Sequence, residues 1–135
     1  MLYTYTASSQ TVVANGAIAL QNNELNCSCM EHPAGSTTIT IRCPGIYIID
    51  VTVNATSATT GPLNFQLYNN GVAVPAAIAT NTIATENNVS NFAFTVAMRI
   101  RCSCSAIDNS AQLTIVNASG NAAIVSNAAV VIHRV

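Results

Sequence analysis

Apolar and polar positions alternate along most of this chain in short runs. Leu63, Phe65 and Leu67, for example, are separated by Asn64 and Gln66. A period of two is typical of strands with one face in a core, and no stretch of a dozen residues keeps the spacing of an amphipathic helix. The pattern predicts nine strands: Thr11–Val13, Ala17–Leu20, Thr37–Arg42, Ile46–Asn54, Leu63–Tyr68, Val72–Val74, Asn91–Cys102, Gln112–Asn117 and Ala128–Val135.

Two turn signals support this division. Pro44-Gly45 separates two apolar runs, and Gly45 tolerates the positive φ that a sharp turn demands. Asn70-Gly71 is a hairpin signal, because both residue types accept left-handed backbone conformations. Many short strands bounded by such turns predict an all-β fold, an antiparallel two-sheet jelly-roll sandwich.

Composition narrows the class of protein. A length of 135 residues is that of one domain. Hydrophobic residues make up 50% of the chain and charged residues only 7%, a composition that excludes a disordered chain. Four arginines, no lysine and a net charge of −1 exclude an extended basic surface for nucleic acid. The apolar stretch Ala122–Ile132 is shorter than the roughly 20 residues of a membrane-spanning helix, so no membrane span is expected.

Some predicted strands carry apolar residues on both faces. In Ile46–Asn54, Tyr47 and Ile49 lie on one face and Ile48 on the other, and Ala128–Ile132 is apolar on both. An antiparallel strand of this kind needs a partner for its outer face. A second copy of the chain is the simplest partner, and the low charge content also favours an oligomer.

Several segments occur in an order that resembles a known family. They are Arg42–Ile49, Phe65–Val74, Phe92–Ile100, Leu113–Asn117 and a terminal apolar strand ending at Val135. This order resembles the globular head of tumour-necrosis-factor-like cytokines, of the complement collagen-stalk protein and of bacterial exosporium collagen-like glycoproteins. Similar stand-alone heads occur in phages and prophages as head fibres or capsid decoration proteins. The resemblance covers residues 11–135.

The resemblance implies a tumour-necrosis-factor-like jelly roll of ten strands that assembles as a homotrimer through its inner sheet. Asp50 would then form ion pairs between subunits with Arg99 or Arg101, and separate solvated charges are an equally open alternative. The implied trimer-interface residues are Ile46, Ile48, Asp50, Ala93, Thr95, Ala97 and Arg99. The collagen repeat of the stalked relatives is missing, and the five carboxylates are scattered rather than clustered as calcium ligands.

The five cysteines include two Cys-x-Cys elements, and their odd number leaves at least one thiol free or paired between chains. Three interpretations stay open: cross-strand disulfides, small buried hydrophobic residues, or a zinc site with His32 nearby. Zinc is disfavoured, because one intervening residue on a strand holds two sulfur atoms about 7 Å apart. We predict no metal and no cofactor. The candidate disulfide or thiol cluster comprises Cys27, Cys29, Cys102 and Cys104.

Catalysis has little support in the sequence. His133 lies in the final strand, where a core or interface position is expected, and His32 precedes Pro33 in a loop and is expected to be exposed. Phosphate-loop, dinucleotide, metalloprotease and nucleophile-elbow motifs are absent. We therefore predict that the protein is not an enzyme.

The first ten residues form a separate segment before the head domain of residues 11–135. Leu2, Tyr3 and Tyr5 make up a candidate docking arm that adds a strand to a partner's sheet, and a frayed end or a first strand of the fold is the alternative. The segment lacks the charged start and apolar centre of a secretory signal, so synthesis in a host cytoplasm is expected.

These observations favour a non-enzymatic, trimeric protein of the virion surface, a phage capsid decoration protein or head fibre whose partner is a capsid or other particle-surface protein. One alternative is a receptor- or glycan-binding head that contacts a host glycan or protein, with Tyr68 as the one plausible exposed ring for sugar stacking. Another is an exosporium-type spore protein. The candidate recognition loops are Ser57–Gly61, Ala76–Asn88 and Ser103–Ser110.

Overall fold

The structure is a computed structural model that describes residues 1–101 and 110–135. Within these residues the chain forms strands and no helix, so none of its elements is a helix that could cross a membrane. The strands are β1 (Leu2–Thr6), β2 (Gln10–Val12), β3 (Asn22–Leu25), β4 (Met30–Glu31), β5 (Ile39–Ile41), β6 (Gly45–Thr56), β7 (Gly61–Asn69), β8 (Val72–Ile83), β9 (Ser90–Ile100), β10 (Ala111–Asn117) and β11 (Ala123–Arg134).

The strands form two antiparallel sheets. The first has the order β3-β1-β11-β6-β9, with β2 also paired to β11, and the second has the order β4-β5-β10-β7-β8. Sequence-distant strands are neighbours in both sheets, as in a jelly roll. The prediction of an all-β, two-sheet antiparallel jelly roll is confirmed.

The core lies between the sheets, and the alternation in the sequence identifies its residues. In β6, Tyr47 and Ile49 are fully buried whereas Ile46 on the opposite face is 41% exposed. Phe65 of the second sheet and Phe92 of the first meet edge to face, with ring centroids 5.0 Å apart. This pair joins the two sheets across the core.

The observed strands differ from the predicted ones in several places. β8 continues to Ile83 instead of ending at Val74, because β8 is the edge of its sheet and an edge strand accommodates Pro75 without losing a ladder hydrogen bond. The predicted strand Ala17–Leu20 is irregular; Ile18 is buried and its N–H donates to the carbonyl of Ile115. β1, β3 and β4 were not among the predicted strands.

The first six residues are part of the first sheet. β1 lies between β11 and β3, and Leu2 and Thr4 are fully buried. Tyr3 and Tyr5 point to the outer face and are half-buried. The structure thus shows the alternative of a first strand of the fold rather than a free docking arm, since removing β1 would take Leu2 out of the core and leave residues 128–132 of β11 unpaired on one side.

Candidate functional site

The outer face of the first sheet carries the residues predicted for the trimer interface. The register of β6 and β9 aligns Ile46 with Arg99, Ile48 with Ala97 and Asp50 with Thr95. The structure therefore brings the predicted set together on one surface, turned away from the core. That these side chains contact another subunit stays a prediction.

Strands β1 and β11 extend this surface with further apolar groups. Val131 aligns with Asp50 on one side and with Tyr3 on the other, and Ala129 aligns with Tyr5. The rings of Tyr3 and Tyr5 lie 5.5 Å apart. The alternation of these tyrosines with Leu2 and Thr4 is the sequence signal that they share one face of a strand, which was the alternative to a docking arm.

Charges are few on this face and lie far apart. Asp50 accepts a hydrogen bond from the hydroxyl of Thr95 at 2.6 Å. Arg99 lies four residues beyond Thr95 on β9, roughly 14 Å along the strand. The ion pair formed within residues 1–101 and 110–135 joins Arg42 to Glu31 at 3.0 Å, so Asp50 and Arg99 have no ion-pair partner there.

A concavity of about 530 Å³, here called the arginine pocket, opens at one end of the face. Arg134 borders it, because its guanidinium lies against Gly45 and donates to the carbonyl oxygen of Pro44. Gly45 has a φ of 150°, a conformation that other residues rarely adopt, and a Cβ atom there would come 2.6 Å from Nε of Arg134, so a larger residue would be strained and would displace the guanidinium. Three of the four arginines thus gather at this end. The lining residues are Gly45, Ile46, Arg99, Ile100 and Arg101.

The opposite end of the face is a row of hydrogen-bonded amides. The side chain of Asn91 donates to Asn54 at 2.9 Å, and that of Asn54 donates to Asn127 at 2.8 Å. The row crosses β9, β6 and β11, so these three amides bind one another within the chain.

A second concavity, here called the polar pocket, lies on the second sheet and has a volume of about 510 Å³. Its walls come from the residue before β5, from the turn between β7 and β8, and from β10. Among residues 1–101 and 110–135, none of the side chains that line it is ionisable. The lining residues are Thr38, Asn70, Gly71, Ser110, Gln112 and Thr114.

The cysteines pair differently from the expected cluster. Cys29 forms a disulfide with Cys43, a residue left outside that cluster, and Cys27 is free and half-buried. Cys102 and Cys104 lie outside the described residues. The disulfide links the turn before β4 to the turn between β5 and β6.

His32 is buried rather than exposed as expected. Its Nε2 donates to the carbonyl oxygen of Ser36 at 2.8 Å, and its Nδ1 lies 2.7 Å from Oδ1 of Asn23 and 3.1 Å from Oγ1 of Thr4. These contacts make His32 a structural residue that joins β1, β3 and the segment before β5. Among residues 1–101 and 110–135, no group of three His, Cys, Asp or Glu side chains is placed to hold a metal ion.

The remaining candidates have distinct positions. His133 aligns with Ile48 on the outer face of the first sheet and is half-buried. Ser57–Gly61 connects β6 to β7 as a loop, whereas most of Ala76–Asn88 belongs to β8, which corrects its assignment as a recognition loop. Of Ser103–Ser110, only Ser110 lies within the described residues.

Comparison with known proteins identifies the fold. No family model matches the sequence, and no curated protein matches it. Among solved structures, the chain is similar to the Eiger tumour necrosis factor from S. frugiperda, with a TM-score of 0.66 and 8% identity over 96% of this chain and 90% of that one. Murine APRIL matches with a TM-score of 0.55 and 7% identity over 95% and 97% of the two chains. The vertex protein P5 of PRD1 matches with a TM-score of 0.51 and 11% identity over 96% and 93%. The fold is therefore a tumour-necrosis-factor-like jelly roll.

Proposed function

We propose that the chain is a non-enzymatic structural protein that forms a homotrimer through the outer face of its first sheet. The observation that carries this proposal is the apolar character of that face, where Ile46, Val131, Tyr3 and Tyr5 lie outside the core of the single chain. Burying such groups between subunits is favourable at about 25 cal/mol for each Å² removed from water. The family resemblance suggests the same sheet as the assembly surface.

The unpaired charges support the proposal that the partner is another copy. Asp50 and Arg99 lie on the same face, too far apart to pair within one chain, and a neighbouring copy places the acid of one chain against the base of the next. The arginine pocket offers a concave receptor for such a contact, since Arg99 and Arg101 are exposed there. Ion pairs of this kind contribute more to register and specificity than to affinity.

The surface of a particle, most plainly a phage virion, is the setting we propose for this trimer. The similarity to the vertex protein of PRD1 supports it, because that protein combines the same fold with a place at a vertex. The trimer would act as a capsid decoration protein or head fibre, with a capsid or other particle-surface protein as its partner. Because only 7% of the residues are charged, non-specific ionic adhesion is also limited.

Sedimentation of the purified protein tests the assembly. The wild-type chain has a mass of 14.0 kDa, so sedimentation equilibrium of a trimer gives three times that mass. The trimer is expected to persist at micromolar concentration. Asp50→Lys would place a cation against the arginines of the neighbouring copy and is expected to yield monomers. Glu86→Lys, which makes the same charge change in the exposed segment before β9, is expected to remain trimeric.

The two measurements separate two claims. A wild-type monomer at micromolar concentration would overturn the proposed assembly. A trimeric Asp50→Lys protein would reject the placement of Asp50 at the subunit contact and leave another face of the molecule as the assembly surface.

A further inference from the structure

We propose that the polar pocket of the second sheet is a binding site for a neutral saccharide. The site is formed within one chain and goes beyond the proposed structural role. Leu113 and Ile115 of β10 are buried, so the alternation of the strand turns Gln112 and Thr114 outward. The pocket therefore lies on the sheet opposite the proposed subunit contact and stays accessible in the trimer.

The pocket is held in shape by its own backbone. Asn70 and Gly71 form the hairpin turn with positive φ values of 51° and 81°. The N–H of Asn70 donates to the carbonyl of Gln112 at 2.9 Å, and the N–H of Gln112 donates back to Oδ1 of Asn70 at 3.0 Å. A turn fixed on both sides loses little conformational freedom when a ligand binds, which favours affinity.

The described side chains that line the pocket offer hydrogen bonds and carry no charge. The hydroxyl groups of Thr38 and Thr114 and the amide of Gln112 make no side-chain hydrogen bond within the described residues, so donors and acceptors remain available to a ligand. Gln112 of β10 aligns with Thr40 of β5, and Thr40 aligns with Glu31 of β4. Glu31 is the first charged residue in this direction across the sheet, and it is already paired with Arg42.

This chemistry selects the class of ligand. An anionic or cationic ligand would find no counter-ion among the described lining residues, so whatever desolvation it undergoes there would be uncompensated. A neutral polyol instead exchanges its hydrogen bonds with water for bonds to hydroxyl and amide groups. The volume of about 510 Å³ lies within the range typical of small-molecule sites and has room for one or two sugar rings.

An aromatic residue is the neighbour, across the strands, of one of the residues that line the pocket. Tyr68 of β7 is the cross-strand neighbour of Thr114 and is half-buried on the same outward face. The apolar C–H face of a sugar can pack against such a ring while its hydroxyl groups bind polar neighbours. The hypothetical Cβ of Gly71 has nothing within 4 Å, so a ligand can approach the turn closely.

Titration of the ¹⁵N-labelled full chain tests the proposal, with glucose, galactose, N-acetylglucosamine and N-acetylgalactosamine as neutral probes and glucuronate as a charged one. We expect at least one neutral probe to give saturable shifts of the amide signals of Asn70, Gly71 and Thr114, with a Kd on the order of 1 mM. Glucuronate is expected to bind more weakly. No saturable shift with any neutral probe, or tighter binding of glucuronate, would overturn the proposal.

Matched variants locate the site. Thr114→Val and Gln112→Met preserve shape but remove hydrogen-bonding groups, and each is expected to weaken binding about fivefold to tenfold. Thr80→Val makes the same change on the exposed part of β8, outside the pocket, and is expected to bind as the wild type does. Equal binding by Thr114→Val and wild type would place the ligand elsewhere. Sedimentation of the same samples reports assembly independently, so a trimer without sugar binding refutes this proposal alone.

Discussion

The first six residues permit a sharp test, because a free arm and a buried strand respond differently to one substitution. Leu2 is fully buried and aligns with Ile132 of β11. Leu2→Ala removes three carbon atoms from the core at this position. If the segment were a free arm, the same change would remove nothing that is packed.

The expected magnitude follows from the burial. Leu→Ala substitutions at buried positions typically cost 2–5 kcal/mol, as the sum of lost transfer energy and the cavity left behind. Substitutions at exposed positions usually stay within about 0.5 kcal/mol. Since domains are stable by about 5–15 kcal/mol in total, the difference between the two outcomes is large.

Urea unfolding measures this difference. The chain has no tryptophan, so far-ultraviolet circular dichroism or tyrosine fluorescence follows the transition. All variants are compared at one protein concentration, because unfolding of an oligomer depends on concentration. Val13→Ala, at a position 64% exposed, is the control and is expected to match the wild type. A Leu2→Ala protein within 0.5 kcal/mol of wild type would refute the packing of β1 described above.

Two further predictions concern the turn between β5 and β6. Replacing both Cys29 and Cys43 by serine opens a loop with a sequence separation of 14 and is expected to lower the free energy of unfolding, measured in urea, by about 3 kcal/mol. Cys27→Ser should lower it much less, because Cys27 is free. Equal losses in the two proteins would argue against the pairing. Burial raises the pKa of Tyr47, an effect that the nearby Arg134 guanidinium only partly offsets. Above about pH 10 the unfolded chain loses this proton before the folded one, so stability should fall with rising pH, and less steeply in Tyr47→Phe; parallel slopes would contradict this.

Much of the fold was predictable because strands with one face in the core separate residue types cleanly. Leu63, Phe65 and Leu67 are all buried, as their alternation predicts. β1 lacks this contrast, since its buried face includes Thr4, whose hydroxyl donates to the carbonyl of Asn22. A buried threonine with a satisfied hydroxyl cannot be told from an exposed one by its position in the sequence.

The outer face of the first sheet and the polar pocket also differ in how far they could be predicted from the sequence. The face that carries Ile48 and Asp50 follows from the alternation within one strand, so sequence reasoning identified it. The polar pocket combines Thr38 with Gln112 and the turn at Asn70, which become neighbours only through the register of three strands. The partner of Cys29 was unpredictable for the same reason, because spacing alone does not determine connectivity.

The two outer faces of the sandwich have different chemistry, and this difference connects the proposals. The chain has nine charged residues, four arginines and five acids, so charge cannot keep both faces hydrated. The first sheet presents isoleucine, valine and tyrosine, whose burial favours self-association. The second presents threonine, glutamine and asparagine, which remain hydrated without charge and suit neutral polar ligands. Because opposite sheets carry the two surfaces, assembly through one leaves the other exposed, and a trimer would display three copies of the polar pocket, which raises its avidity for a repeating glycan surface.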